Sequence, residues 1–318
     1  MSFSRKSICV VLCTYNGEKY LCEQLESILG QTRPPEKILI LDDGSHDRTV
    51  EIAEGFAKKD HRISLIKNEL NLGYARNFEK GISLCETDYI ALSDQDDVWF
   101  PGKLERLAYE LDTHPGAGIA YCNAEYMTAD GIRTGHLFFD NNSPCMADPV
   151  QARRGLLEKQ WNVHGHLIVI DSEMKSFILP NSFTRTHGHD SWICLNAFFL
   201  RSPRYISDPL AYYRIHPLMA SGAHLHVLRG TPFEFKKKWY DSRRLAKNLI
   251  HIMSSPFTRY GKLRERKLRA YQNASDMLTI LETLLEKRKH LNLPDISPDE
   301  SLFFQKKRAE WQAIRSSC

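Results

Sequence analysis

The segment ILILDDGSHDRTV, residues 38–50, opens with four consecutive aliphatic side chains, breaks at two carboxylates and a glycine, and then enters a helical pattern. Four apolar residues without polar alternation describe a strand buried on both faces, as in parallel sheets covered by helices. Beyond the break, Val50, Ala53, Phe56 and Ala57 recur at helical spacing, with Ser45 as the expected N-cap. The same cycle stands upstream, where the apolar run 8–12 precedes Tyr20, Leu21, Leu25, Ile28 and Leu29 at helical spacing. It stands again downstream, in the run 63–66, a loop at 68–73, a helix over 75–84 and a further strand over 89–92. Strands alternating with helices of this length predict an α/β chain with right-handed crossovers and a mainly parallel, doubly wound sheet flanked by helices.

In such sheets, ligands bind beyond the carboxyl ends of the strands. Three polar clusters fall at such ends, after the first, second and fourth predicted strands: Thr14-Tyr15-Asn16, Asp42-Asp43-Gly44-Ser45, and Ser93-Asp94-Gln95-Asp96-Asp97. The last puts three carboxylates into four positions, and like charges that close raise one another's pKa unless a cation or a donor compensates. Mg2+ and Mn2+ prefer carboxylate oxygens and leave coordination positions open to a substrate diphosphate. The plainer alternative is a solvated acidic turn before the helix that starts near Pro101.

The chain has 318 residues, 42% hydrophobic and 26% charged, enough for one large catalytic domain with an appendage. The expected division is a catalytic domain over 1–224, with a nucleotide-binding half (1–110) and an acceptor-binding half (111–224), followed by a basic helical region over 225–318. A strand is expected at 118–121, a turn at Asp130-Gly131, a long loop over 136–150 and a strand at 167–170. No run reaches the roughly 18 apolar residues of a membrane span. The short apolar run after Arg5 and Lys6 reads as the first strand rather than a signal peptide. Eight scattered cysteines with no C-x-x-C pair predict reduced thiols and a cytoplasmic protein. The net charge of +4 divides unevenly: residues 1–224 carry −6 and residues 225–318 carry +10. A basic tail on an acidic body is a candidate for anionic partners.

VVLCTYNGEKYLCEQLESILGQT, ILILDDGSHDRTV, NLGYARNFEKGI and YIALSDQDDVW, in this order and spacing, resemble the nucleotide-sugar-binding half of family 2 glycosyltransferases. The resemblance is strong over 7–110, traceable to about 220, and greatest to bacterial enzymes of surface-polysaccharide assembly, including rhamnosyltransferase-like members. It implies a GT-A (Rossmann-like) fold, a UDP- or dTDP-sugar donor and Mn2+ or Mg2+. Thr14 and Tyr15, with Asn16 behind them, would border the base, Tyr15 offering a stacking face. Asp42, beside Asp43, would accept a hydrogen bond from the base, and Asn71 and Arg76 would lie beside the base or phosphates. Asp94 and Asp96 would face the nucleotide, Asp96 at the ribose, and Asp97 or Asp96 would ligate the metal.

The resemblance also implies an acid–base residue. Inverting members deprotonate the acceptor hydroxyl with a carboxylate in a loop before a helix. Asp190 matches that position, although the usual Glu-Asp pair is His189-Asp190 here. His189 and Trp192 are the implied acceptor-side residues, and Asp190 could alternatively be a plain N-cap of a helix over 191–200. The segment Tyr213-Arg214-Ile215-His216 resembles the Y-R-x-H stretch that closes the donor site. Arg214 or His216 would neutralise the diphosphate, and His216 could add a metal ligand. Gly165 and His166 fall where relatives line the donor-sugar pocket.

The stretch 229–269 holds 13 Lys+Arg against 3 Asp+Glu, interleaved with Phe233, Phe235 and Trp239. It reads as a helix at an anionic membrane surface, peripheral to the inner face of a bacterial plasma membrane, or as a solvated helix packed on the catalytic domain. Nucleic acid is not an expected partner, since no recognised module accompanies the charge. The expected function is inverting, metal-dependent transfer of a sugar to a hydroxyl of a glycan or lipid-linked oligosaccharide in O-antigen or capsule synthesis. The competing readings are Mg-dependent phosphoryl or nucleotidyl transfer and non-catalytic nucleotide-sugar binding.

Overall fold

A computed structural model describes residues 5–139, 149–158, 163–180, 188–216 and 274–316. Its first half follows the expected cycle: β1 (Ile8–Thr14), α1 (Leu21–Leu29), β2 (Lys37–Asp42), α2 (Thr49–Ala57), β3 (Ile63–Lys67), α3 (Tyr74–Leu84) and β4 (Tyr89–Ser93). Every residue of β1 and β4 is buried, as unbroken apolar runs require when helices cover both faces of a sheet. Helix α3 lies so close to β1 that a Cβ on Gly81 would stand 2.4 Å from Val11 Cγ1.

Next come β5 (Val98–Trp99), α4 (Lys103–Thr113), β6 (Ile119–Thr128), β7 (Arg133–Leu137), α5 (Pro149–Leu157), a 3-10 turn (Gly165–Leu167), β8 (Ile168–Asp171), α6 (Lys175–Ile178), α7 (His189–Leu200) and β9 (Arg204–Ile215). The nine strands among the described residues form one sheet, ordered β3-β2-β1-β4-β8-β6-β9-β5, with β7 paired to β6. The block β3-β2-β1-β4 is parallel throughout. Beyond it the sheet is mixed, because β8 runs antiparallel to both β4 and β6 while β6 and β9 run parallel. The expected long loop over 136–150 is shortened by β7, and residues 140–148 of it lie outside the described residues.

Two helices close the described chain: α8, over 274–290, and α9 (Pro298–Ser316). They grip the far end of α7. Lys287 Nζ donates to Phe177 O (2.8 Å) and Asn196 Oδ1 (3.0 Å), and Arg288 donates to Phe199 O. Arg153 of α5 donates to Phe198 O and pairs with buried Glu300 of α9, while the Phe199 and Phe304 rings stack 5.7 Å apart. Cations on the last carbonyls of a helix satisfy orphaned acceptors and complement its dipole. Helix α7 is apolar on nearly its whole circumference and is buried accordingly. The basic stretch 229–269 lies outside the described residues. Among those described, no helix is long and apolar enough to cross a membrane.

Candidate functional site

Parallel register brings the strand ends to one edge. Thr14 pairs with Asp42 and Asp42 with Lys67, and on the other side Leu12 pairs with Ser93. The clusters at 14–16, 42–45 and 93–97 therefore share one rim. Asp42, 2% exposed, is fixed there by four donors: the Thr14 hydroxyl (2.9 Å), the Ser45 hydroxyl (2.5 Å) and the Gly44 and Ser45 amides (3.2 and 2.9 Å). Ser45 is thus part of this loop and does not cap α2, whose N-cap is Arg48. The position lies too early, because the chain makes a further turn at 46–48 before the helix begins.

Asp43 pins the next loop by accepting from Asn68 Nδ2, Leu72 N and Gly73 N, each at 2.8 Å. Asn71 returns a bond to Asp43 O at 3.0 Å. Arg76 sits on the exposed side of α3 with its guanidinium 2.6 Å from Glu79. Asn16 adopts φ +49°, a left-handed turn that asparagine tolerates, and its Oδ1 accepts from His46 N at 2.8 Å. Tyr15 remains 46% exposed at the rim.

The acidic loop splits its carboxylates between two imidazoles. Asp96 Oδ2 stands 2.8 Å from His216 Nε2, and Arg214 Nε donates to Asp96 O at 2.8 Å. Asp97 is fully buried; its Oδ1 accepts from Arg214 N at 3.1 Å, and its Oδ2 lies 3.3 Å from His166 Nδ1. Asp94 Oδ2 is 3.4 Å from the same nitrogen. Donor atoms of Asp94, Asp97 and His166 all lie within 4.8 Å of one another. Burial holds Asp97 well above the usual carboxylate range, reinforced by the charges of Asp96 and Asp94, and also raises Asp94. Burial likewise holds His166 well below the usual imidazole range and brings Lys103, which donates to His166 O at 2.5 Å, down to about 8. Arg214, 2% exposed, ends against Glu23 of α1 and lies over the Tyr20 ring. It ties the acidic loop to α1, and its guanidinium does not open onto the rim.

Helix α7 begins at His189, with Gly188 as its N-cap, two residues earlier than the spacing suggested. The His189 ring stacks on Phe78 at 4.0 Å and presses so close to the 3-10 turn that a Cβ on Gly165 would lie 2.4 Å from His189 Nε2. His189 thus packs between Phe78 and the 3-10 turn that carries Gly165 and His166. Burial holds it neutral, with a pKa of about 4 despite the nearby Asp94 charge, and does the same to His164. Asp190 sits in the first helical turn, its Oδ1 only 2.7 Å from where a Cβ on Gly188 would fall. Trp192 is 4% exposed, and its indole N–H donates to Ile178 O at 2.9 Å. It is a core residue and offers no face to a sugar, because α7 turns it inward against α6.

Among the described residues, five of the seven buried side-chain polar atoms without a hydrogen-bond partner belong to Asp97, His166 and His189. Each such atom costs about 1–3 kcal/mol, so native proteins keep few of them. Their concentration in one spot marks a place built for a bound group. Two carboxylates and one imidazole offer hard oxygen and borderline nitrogen donors, a set that fits a divalent cation. Sequence patterns alone missed Lys103 and Glu23. Lys103 and Glu23 carried no signal, since charged residues on amphipathic helices are normally solvated.

The glycosyl transferase family 2 model matches residues 9–172. Putative glycosyltransferase EpsH of Bacillus subtilis is 30% identical over 219 residues, 66% of this chain and 61% of its own. Glycosyltransferase GlyG of Streptococcus pneumoniae serotype 4 is 38% identical over 213 residues, 65% of this chain and 70% of its own. An uncharacterized glycosyltransferase of Methanocaldococcus jannaschii is 27% identical over 188 residues, 58% of this chain and 63% of its own. The chain thus spans somewhat under two thirds of the EpsH and M. jannaschii proteins. In structure it resembles Staphylococcus aureus TarS 1–349, solved with UDP, with a TM-score of 0.54 at 17% identity, covering 98% of this chain and 90% of that one. The same TarS fragment solved with UDP-GlcNAc gives a TM-score of 0.54 at 16% identity, covering 98% and 91%. The family match runs from the first strand through β8, across the loops that meet at the rim, and the chain belongs to glycosyl transferase family 2.

Proposed function

We propose that the chain transfers a sugar, with inversion, from a UDP- or dTDP-sugar to a hydroxyl of a glycan or lipid-linked oligosaccharide in cell-surface polysaccharide synthesis, assisted by Mn2+ or Mg2+. The observation that carries this reading is the convergence of Asp94, Asp97 and His166 within 4.8 Å, with Asp97 Oδ2 and both His166 nitrogens lacking hydrogen-bond partners. These residues would hold the cation, with the Asp96–His216 pair beside them at the rim. When bound, the cation would offset negative charge on the donor diphosphate.

The chain's own residues divide the remaining work. Tyr15, on the exposed rim, would stack on a pyrimidine base, and Asp42 and Asp43 would hold the loops that frame it. Gly165 and His166 would line the donor-sugar pocket. Asp190, at the start of α7, would take the proton of the acceptor hydroxyl as that oxygen attacks the anomeric carbon. TarS, which has the same fold, is known with both UDP and UDP-GlcNAc, which supports a nucleotide-sugar donor here. A thermal-shift panel of UDP, dTDP, GDP and their sugars, with and without Mn2+, tests the reading. Stabilisation by a pyrimidine diphosphate that depends on metal is the expected result. Preference for a purine, or no response to any nucleotide, would overturn it.

A further inference from the structure

The acceptor must approach Asp190, so whatever large, exposed side chain borders that carboxylate forms the wall of the acceptor subsite. Tyr74, the first residue of α3, is that side chain. It is 56% exposed, while the other aromatic rings of α3 and α7, Phe78, Trp192, Phe198 and Phe199, are buried. Its hydroxyl oxygen and Cε2 lie 3.4 Å from the point where a Cβ on Gly188 would stand, and Asp190 Oδ1 lies 2.7 Å from that same point. The absence of a side chain at Gly188 is what lets the tyrosine and the carboxylate share this corner. Burial and the neighbouring Asp190 charge push the Tyr74 hydroxyl above its ordinary pKa, which places the two groups in one electrostatic environment.

The backbone that leads into Tyr74 is held in place before any ligand arrives. The Gly73 amide donates to Asp43 Oδ2 at 2.8 Å and to Asn71 Oδ1 at 3.1 Å, which fixes the backbone immediately ahead of the ring. Gly73 has φ +79°, a conformation other residues avoid, so a glycine is required immediately ahead of the ring. On the other side, the His189 ring meets Tyr74 edge-on at 6.0 Å and 71°. An exposed aromatic ring braced on one edge by a buried neighbour is an effective platform for the apolar C–H face of a pyranose, because an aromatic side chain has few torsions to lose on binding.

We infer that Tyr74 is the stacking platform for the terminal sugar ring of the acceptor, setting that ring against Asp190. This inference rests on the proposed role of Asp190 and deepens it by naming the acceptor-binding side chain. It moves the aromatic contact from Trp192, which α7 buries, to the helix that faces it.

Saturation-transfer NMR with the methyl glycosides of glucose, galactose, N-acetylglucosamine and rhamnose, in the presence of UDP and Mg2+, reads the contact directly. The wild-type protein is expected to saturate the ring C–H protons of at least one glycoside. In Tyr74→Ala that signal should fall roughly three- to tenfold, and in Tyr74→Phe it should persist, since an aromatic contact of this kind resides in the ring. UDP-induced thermal stabilisation should be the same in all three proteins, which also shows that the variants fold. An unchanged signal in Tyr74→Ala, or no glycoside saturated by the wild type while UDP still stabilises it, overturns the inference. A wild type that neither UDP nor dTDP stabilises overturns the donor reading, and this inference with it.

Discussion

Gln95 clamps Tyr15 by both of its backbone groups: Gln95 Oε1 accepts from Tyr15 N at 2.9 Å, and Gln95 Nε2 donates to Tyr15 O at 3.0 Å. A side chain in the acidic loop therefore fixes the loop after the first strand, so the loops that follow β1 and β4 are built as one unit. A Cβ on Gly17 would come 2.1 Å from Gln95 Oε1, so the clamp requires a glycine two residues on. Gln95→Ala and Gly17→Ala should each cost about 1–2 kcal/mol of stability, the worth of two ordinary hydrogen bonds. Both should also shrink the melting-temperature rise produced by UDP. If Gly17→Ala behaves as wild type in both measurements, the clamp does not organise the rim.

Asp190 and Asp97 should separate by phenotype. Asp190→Asn should slow sugar transfer roughly 10²–10⁴-fold, as loss of a general base does, while leaving UDP stabilisation intact. Asp97→Asn should instead abolish the metal-dependent part of that stabilisation, because it replaces a charged ligand by a neutral one. Retained turnover in Asp190→Asn would assign the proton transfer to another group.

His189 should make stability pH-dependent. Its folded pKa of about 4 lies below the ordinary 6.5, because burial against Phe78 and Gly165 disfavours the cation. Between these values the unfolded chain binds more protons than the folded one. The contribution is therefore complete above about pH 6.5 and is lost as pH falls toward 4, amounting to roughly 3 kcal/mol at most. Urea midpoints measured from pH 7 to 4.5 should fall for the wild type, and less steeply for His189→Phe, which preserves the stack. Parallel profiles would mean that His189 titrates normally.

The Arg153–Glu300 pair should be a stability determinant for the seat of α7. Glu300 is 1% exposed, and Arg153 spans it and Phe198 O. Arg153→Met alone strands a buried carboxylate and should cost about 3–5 kcal/mol, whereas Arg153→Met combined with Glu300→Leu should recover much of that loss. Thermal unfolding of the single and double variants checks this. Equal losses in both would show that the charge pairing itself is not what matters.

The α/β alternation was legible because unbroken apolar runs such as 8–12 and 38–41 are incompatible with a sheet exposed on either face. The polar strand ends followed from the same reading, since parallel strands deliver their carboxyl ends to one side. What could not be read was the antiparallel insertion of β8 between β4 and β6. A short, mostly apolar strand looks alike in either direction, and its orientation is decided by the chain path that leads into it. The pairing of imidazoles with aspartates was equally hidden. His166 and His216 lie 50 residues apart in sequence, and only the packing of the 3-10 turn and the end of β9 against the acidic loop assigns one to Asp97 and the other to Asp96.

By itself the sequence determined that carboxylates would crowd the end of a buried strand, because hydrophobic patterning places that strand and residue order places the charges. Tertiary structure alone decided which of those carboxylates is sealed and which reaches the rim, and which aromatic faces outward beside Asp190. Burial and partner geometry depend on distant segments meeting: Arg214 reaching Asp97, and Gly188 leaving room for Tyr74. Local pattern carries no information about such encounters, because the energies that settle them arise only when desolvation and packing act on residues that are remote along the chain.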